Sequence, residues 1–155
     1  MTDNHAADLY DAVNRWGPSN DFFLAVATAL HRARLLDLGC GTGGLTIAAA
    51  RAGCFVTGID PDRPSLAAAR AKPGAGLVYW IDGDSRRIPR HALFDVVLLT
   101  SNVVQEILDD ADLARTFRDV AAHLVPGGRL AFDSRGYRGE PVGRGTGVLA
   151  FTARR

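Results

Sequence analysis

A short apolar strand that carries one acid and runs straight into a glycine-rich turn, Leu35-Leu36-Asp37-Leu38-Gly39-Cys40-Gly41-Thr42-Gly43-Gly44, constrains the fold of this chain more than any other segment. Where a strand turns sharply into a helix, backbone passes close to its surroundings and adopts positive φ, and residues without a Cβ do both cheaply. Gly39, Gly41 and Gly43 meet that need. The helix expected next, about Leu45 to Arg51, directs its free N–H groups and the positive end of its dipole back at the turn. The segment predicts a strand, turn and helix with a ligand seated at the turn. A glycine-rich turn that holds nothing is the plainer alternative.

The pattern then repeats. Cys54 to Ile59 reads as a second buried strand, rich in β-branched and aromatic residues, and it ends at Asp60-Pro61. Arg63 to Ala71 reads as a helix with Pro64 in its first turn. A third strand, Leu77 to Ile81, leads into Asp82-Gly83-Asp84-Ser85, and a fourth, Phe94 to Leu99, into Thr100-Ser101-Asn102. The near-continuous apolar run of the fourth strand implies burial on both faces, as in a central parallel strand. From Asp110 to Leu124, apolar residues at Leu113, Phe117, Val120 and Leu124 keep helical spacing and face the core. Pro126-Gly127-Gly128 is expected to end that helix, and Arg129 to Asp133 to form a fifth strand. Alternating strands and helices give right-handed crossovers and a parallel sheet covered by helices on both faces. Gly136 to Gly147 reads as loop. Val148 to Thr152 is expected to add one antiparallel edge strand.

The turn satisfies the dinucleotide pattern G-x-G-x-x-G, but Asp37 argues for a different ligand. A pyrophosphate is repelled by a carboxylate two residues before the first glycine, whereas a ligand bearing a sulfonium or ammonium cation suits both that acid and the helix N-terminus. S-adenosylmethionine is such a ligand. Asp60 lies close to the roughly 20-residue interval at which a second-strand acid meets ribose hydroxyls. Its alternative is a solvated turn acid before Pro61. Asp84, just beyond the third strand, can accept from an exocyclic amine such as that of adenine, or else pair with Arg86 or Arg87. Asn102, Gln105 and His123 are further polar candidates, with a helix-terminal role the better reading for His123. His5, His31 and His91 have no partners at metal-ligand spacing, so no metal is expected.

Leu35 to Gly43, then Gly58-Ile59-Asp60, Gly83-Asp84, Phe94-Asp95-Val96-Val97 and Leu124 to Leu130, resemble in order the motifs of class I S-adenosylmethionine-dependent methyltransferases of the small-molecule type. The resemblance covers about Asp8 to Arg135, since Tyr10-Asp11 and Trp16 to Phe23 look like the N-terminal lid of such enzymes. It implies a Rossmann-like sheet, ordinarily of seven strands, with Asp37, Gly39 and Gly41 around the amino-acid end of the cofactor. It also implies Asp60 on the ribose, Asp84 near adenine, and Thr100 and Ser101 on the floor near the sulfonium. The expected cofactor shell is Asp37, Gly39, Cys40, Gly41, Thr42, Gly43, Asp60, Pro61, Asp84, Ser85, Thr100 and Ser101. The implied reaction is in-line transfer of the methyl group to an acceptor, leaving S-adenosylhomocysteine, and no residue is assigned as catalytic base. Methyltransferases of adenine or glutamine amides usually carry Asn or Asp, two prolines and an aromatic after the fourth strand. Thr100-Ser101-Asn102-Val103 does not match them, so a small-molecule acceptor is expected.

At 155 residues the chain suits one domain: lid helices over 8–31, a cofactor-binding core over 34–133 and a shortened segment over 134–155. A net charge of +1 gives no general case for nucleic acid. Arg135, Arg138, Arg144, Arg154 and Arg155 make the C-terminal part locally basic. No apolar run approaches the roughly 20 residues that span a bilayer. Nothing resembles a signal peptide, and Cys40 and Cys54 read as reduced thiols, so the cytoplasm is the expected compartment. The shortened sheet would leave an edge or apolar patch that favours a homodimer or limited stability. Two other functions compete: a cofactor-binding but inactive or truncated protein acting through a partner, and a nicotinamide-dependent oxidoreductase resting on the glycine pattern alone.

Overall fold

The computed structural model describes residues 5–101, 103–134 and 147–152. Its elements are α1 (His5–Val13), α2 (Pro18–Thr28), β1 (Arg34–Leu38), α3 (Gly44–Arg51), β2 (Phe55–Asp60), α4 (Arg63–Ala71), β3 (Val78–Asp82), β4 (Phe94–Leu99), α5 (Val103–Glu106), α6 (Asp110–His123), β5 (Leu124–Ser134) and β6 (Gly147–Thr152). Short 3₁₀ turns at Ala75–Leu77 and Ser85–Arg87 flank β3. The strands form one sheet in the order β3-β2-β1-β4-β5-β6, in which β6 alone runs antiparallel to its neighbour. The expected five parallel strands and one antiparallel edge strand are therefore observed.

Strand order reverses at β1: the chain builds outward to β2 and β3, then returns to place β4 on the other side of β1. In open α/β sheets a crevice opens at such a reversal, beyond the carboxyl ends of the strands. The glycine turn sits there because β1 ends there. Successive side chains of β1 feed opposite faces, as strand geometry requires. Leu35 joins a core with Phe23, Ile47, Val56 and Leu98, under α2 and α3. Leu36 joins a second core with Ile59, Val97, Val120 and Phe132, under α6. Both leucines are fully buried.

Several boundaries differ from expectation. Cys54 precedes β2, and its thiol donates instead to the Ala27 carbonyl at 3.5 Å. β3 starts one residue later than expected, because Leu77 belongs to the preceding 3₁₀ turn. α6 stops at His123, and Leu124 opens β5 by pairing with Phe94. The next paired residues are Val96 and Arg129, so Val125 to Gly128 form a bulge within the strand. Pro126-Gly127-Gly128 thus bends a strand that has already begun. Asn102, the loop residues 136–146 and all of the C-terminal arginines named above lie outside the described residues, as does the side chain of Gln105. No helix among the described residues is long and apolar enough to cross a membrane.

Candidate functional site

The turn after β1 is fastened to β2. Both Gly39 and Cys40 donate their backbone N–H to the Ile59 carbonyl, at 2.7 and 3.1 Å. Gly41 donates its N–H to Asp60 Oδ2 at 2.7 Å, and Asp62 donates to the other oxygen at 2.8 Å. Asp60 therefore braces the turn while forming part of its wall. Burial pushes its carboxyl above the ordinary value, against those two N–H groups. Gly39 has φ +80°, and a Cβ there would lie 2.4 Å from Val103 Cγ2, so α5 packs directly on the turn. Gly41 has φ +54° and would meet nothing within 4 Å. Open space lies beside it.

That space is a cavity of about 440 Å³, lined from the glycine turn by Leu38, Gly39 and Gly41, and from the ends of β2 and β3 by Asp60, Pro61, Asp62, Gly83, Asp84 and Ser85. Ser101, Val103, Glu106 and Ile107 close it after β4, with Ser65, Thr116 and Tyr10 contributed by α4, α6 and α1. Of the expected shell, Gly39, Gly41, Asp60, Pro61, Asp84, Ser85 and Ser101 are brought together here. Asp37, Cys40, Thr42, Gly43 and Thr100 are not in the wall.

Each of those five has a physical reason. Asp37 is only 1% exposed, with Oδ2 accepting from Thr46 Oγ1 at 2.7 Å while Oδ1 has no partner among the described residues. Burial first, and the charge of Asp60 in addition, push its carboxyl up to about 6. Cys40 Sγ lies 3.1 Å from where a Cβ of Gly58 would be, against β2, and burial pushes its thiol far above its ordinary value. Thr42 is tied to α1. Gly43 is the N-cap of α3, and Thr100 is buried at the end of β4.

Asp84, expected near adenine, and its shell neighbour Ser85 are already engaged. Asp84 caps the 3₁₀ turn by accepting from the Arg86 N–H at 3.0 Å, and its carboxylate pairs with the Arg86 guanidinium at 2.5 Å. That pairing holds Asp84 below the ordinary carboxylate value. Ser85 Oγ donates to Asp119 of α6 at 2.6 Å. Tyr10, one of the expected lid residues, lines the cavity, whereas Glu106 and Thr116, from two further segments, are not singled out by sequence reasoning. Thr116 sits one turn before the core residue Val120, which is the signal that could have found it.

A second cluster latches α1 over the turn. Thr42 Oγ1 donates to Asp11 at 2.5 Å, Lys72 Nζ pairs with Asp11 at 2.6 Å, and the same ammonium donates to the Thr42 carbonyl at 2.8 Å. Burial raises the Asp11 carboxyl, but the bonds from Lys72 and Thr42 outweigh it and hold the group below its ordinary value. The latch places Tyr10 in the cavity wall. The other lid aromatics do different things: Trp16 donates to Asp21 at 2.7 Å, Phe23 is core, and Phe22 is exposed with its ring edge on Phe23. His123, at the end of α6, bonds the Ala92 carbonyl through Nδ1 at 2.8 Å and takes no part in the cavity.

With this geometry in hand, the chain can be set beside known proteins. A family model described as "Methyltransferase domain" matches residues 35–128. The cypemycin N-terminal methyltransferase of a Streptomyces species is 32% identical over 84% of this chain, and over 55% of its own length. A solved S-adenosylmethionine-dependent methyltransferase from Clostridium acetobutylicum is 26% identical, with a TM-score of 0.71 over 86% of this chain and 58% of that one. A glycopeptide N-methyltransferase solved with S-adenosylmethionine is also 26% identical, with a TM-score of 0.64 over 88% of this chain and 65% of that one. The matches thus span 55% to 65% of the length of these relatives.

Proposed function

This chain belongs to the class I S-adenosylmethionine-dependent methyltransferases, and from that premise we propose that it binds S-adenosylmethionine in the cavity beyond β1 and delivers the methyl group to a small-molecule acceptor. One observation carries the donor site. Asp60 spends one lone pair of each carboxylate oxygen on the N–H groups of Gly41 and Asp62. A carboxylate has about four acceptor positions, so both oxygens can still accept from a vicinal diol such as the ribose 2′- and 3′-hydroxyls. The Gly41 surface leaves room for the ligand without a Cβ, and the orphaned Asp37 Oδ1 supplies a buried negative pole below the turn.

When bound, the donor supplies an electrophilic methyl on a sulfonium, which is already a good leaving group. The protein's work is then alignment and exclusion of water. Gly39, Gly41 and Asp60 hold the donor. Ser101, Val103 and Glu106 form the wall on the far side of β1, where an acceptor has access. Cys40 and Cys54 are both unpaired, which supports the cytoplasm as compartment. The outer edge of β3, with Tyr79 64% exposed, supports self-association as a further property.

Calorimetric titration of S-adenosylmethionine into wild type and Asp60→Asn tests the donor site. The variant keeps one oxygen acceptor for the turn but loses the charged diol acceptor, so its affinity is expected to fall by about ten- to a hundredfold, as for a charged hydrogen bond worth roughly 1.5–3 kcal/mol. A well-folded wild type that takes up no S-adenosylmethionine refutes the proposal.

A further inference from the structure

We propose that the acceptor end of this cavity is built for an amine, which Glu106 recognises, and that it turns away carboxylates and phosphates of similar size. The proposal rests on the donor reading above and extends it to the acceptor class.

The first observation is the sign of the wall. Among the described residues, its charged members are Asp60, Asp62, Asp84 and Glu106, and no Lys, Arg or His lines it. The second is which of those acids have a protein partner. Asp60 holds the turn, Asp62 caps α4 by accepting from the Ser65 N–H at 3.0 Å, and Asp84 is paired with Arg86. Glu106 makes no hydrogen bond or ion pair with any described residue. The third is placement. The three engaged acids gather at the ends of β2 and β3, whereas Glu106 ends α5, which follows β4 on the opposite side of β1. Its companions in the wall there are the apolar Val103 and Ile107, with Ser101 the one other polar residue from segment 101–107 among those described.

A carboxylate with no side-chain partner among the described residues, set beside Val103 and Ile107, favours a cation that carries a hydrocarbon body. It also solves a problem particular to methylating an amine. A protonated amine approaching a sulfonium is repelled by it, and it has no lone pair with which to attack. Glu106 offsets the repulsion and can take the proton. The ammonium gives its N–H proton to the Glu106 carboxylate, and the freed nitrogen lone pair attacks the methyl carbon. The new N–C bond forms as the C–S bond breaks, and its electron pair returns to sulfur, leaving a neutral thioether and a methylated ammonium. Glu106 then returns its proton to solvent. A carboxylate or phosphate acceptor gains nothing from this wall and is repelled by it.

The test uses the full chain saturated with S-adenosylhomocysteine, and three probes of matched size: 2-phenylethylamine, 2-phenylethanol and 3-phenylpropionate. Calorimetric titration is expected to rank the amine first and the carboxylate last, about tenfold apart, since attraction of one charge and repulsion of the other both contribute at a half-open site. Added salt is expected to narrow the gap. In Glu106→Gln the gap should fall below about threefold. Failure of S-adenosylhomocysteine itself to bind overturns the donor reading along with this one. If it binds, three results overturn the amine assignment alone: no probe binds, the carboxylate equals or beats the amine, or Glu106→Gln keeps the full preference.

Discussion

Replacing Asp37 by Asn should make the protein's stability less sensitive to pH, by an amount that follows from the surroundings of this one carboxyl group. Asp37 is 1% exposed, with one oxygen bonded to Thr46 and the other without a partner among the described residues. Burial holds it at about 6, against 3.8 for an unperturbed group. Between those pH values the folded protein retains a proton that the unfolded chain has released, so stability falls as pH rises through the window. The loss is complete once pH passes the folded value, and a displacement of this size corresponds to about 3 kcal/mol. Asn carries no charge and has no such slope. Its buried amide costs about 1–3 kcal/mol if left unbonded, but that offset is the same at every pH and cancels when the difference between variant and wild type is followed. Urea denaturation from below pH 4 to neutrality should therefore show the difference moving by about 3 kcal/mol in favour of Asp37→Asn. Affinity for S-adenosylmethionine should move the other way, because the variant lacks the buried negative pole. Parallel stability curves for the two proteins across this range would refute the account of Asp37 as a charge held at the fold's expense.

Two further substitutions probe the turn and its latch. Gly39→Ala forces a Cβ into Val103 at positive φ, and thermal or urea melts should show a loss of about 2–5 kcal/mol; unchanged stability would mean that α5 does not pack on the turn. Asp11→Asn weakens the contacts to Lys72 and Thr42, and since Asp11 and Lys72 are both partly exposed, global stability should change by less than about 1 kcal/mol. Amide exchange in α1 should nevertheless accelerate while that of β1 and β4 stays fixed, and an unaltered α1 would show that the latch does not hold it.

The sheet was legible in the sequence because its signals are local. The acid-bearing strand, the glycine turn and the proline at the start of α4 each act within a few residues, and the apolar run of β4 announces burial on both faces. β5 was harder. Pro126-Gly127-Gly128 carries the same local signal whether it stops a helix or bulges a strand, and only pairing of Leu124 with Phe94 separates the two. The site was legible to the same extent. Gly39 and Gly41 follow from backbone demands that the sequence states directly, and Asp60 from its position at the end of the second strand, although its hold on the Gly41 N–H does not. Cys40, Thr42 and Thr100 adjoin the turn or the strand end, but side-chain direction depends on neighbours far along the chain, including Asp11 for Thr42 and the β2 backbone for Cys40. For Asp84 the alternative of pairing with Arg86 is what the structure contains, although the residue still lines the cavity. Glu106 reaches the wall only through tertiary packing and nothing in its spacing marks it, whereas Thr116 is marked by its helical spacing from Val120 and Tyr10 by the lid motif.

Asp60 is both the brace of the glycine turn and part of the cavity wall, and this double duty limits how the site can change. A mutation that retools the ligand preference at this carboxylate also removes the acceptor that holds the Gly41 N–H. The first step towards a cofactor bearing a ribose phosphate would thus loosen the turn before any new phosphate contact could repay the loss. Two coordinated changes are required, one to remove the acid and one to re-anchor the backbone. Loss of this one carboxylate is therefore felt in the turn and at the cavity wall at once.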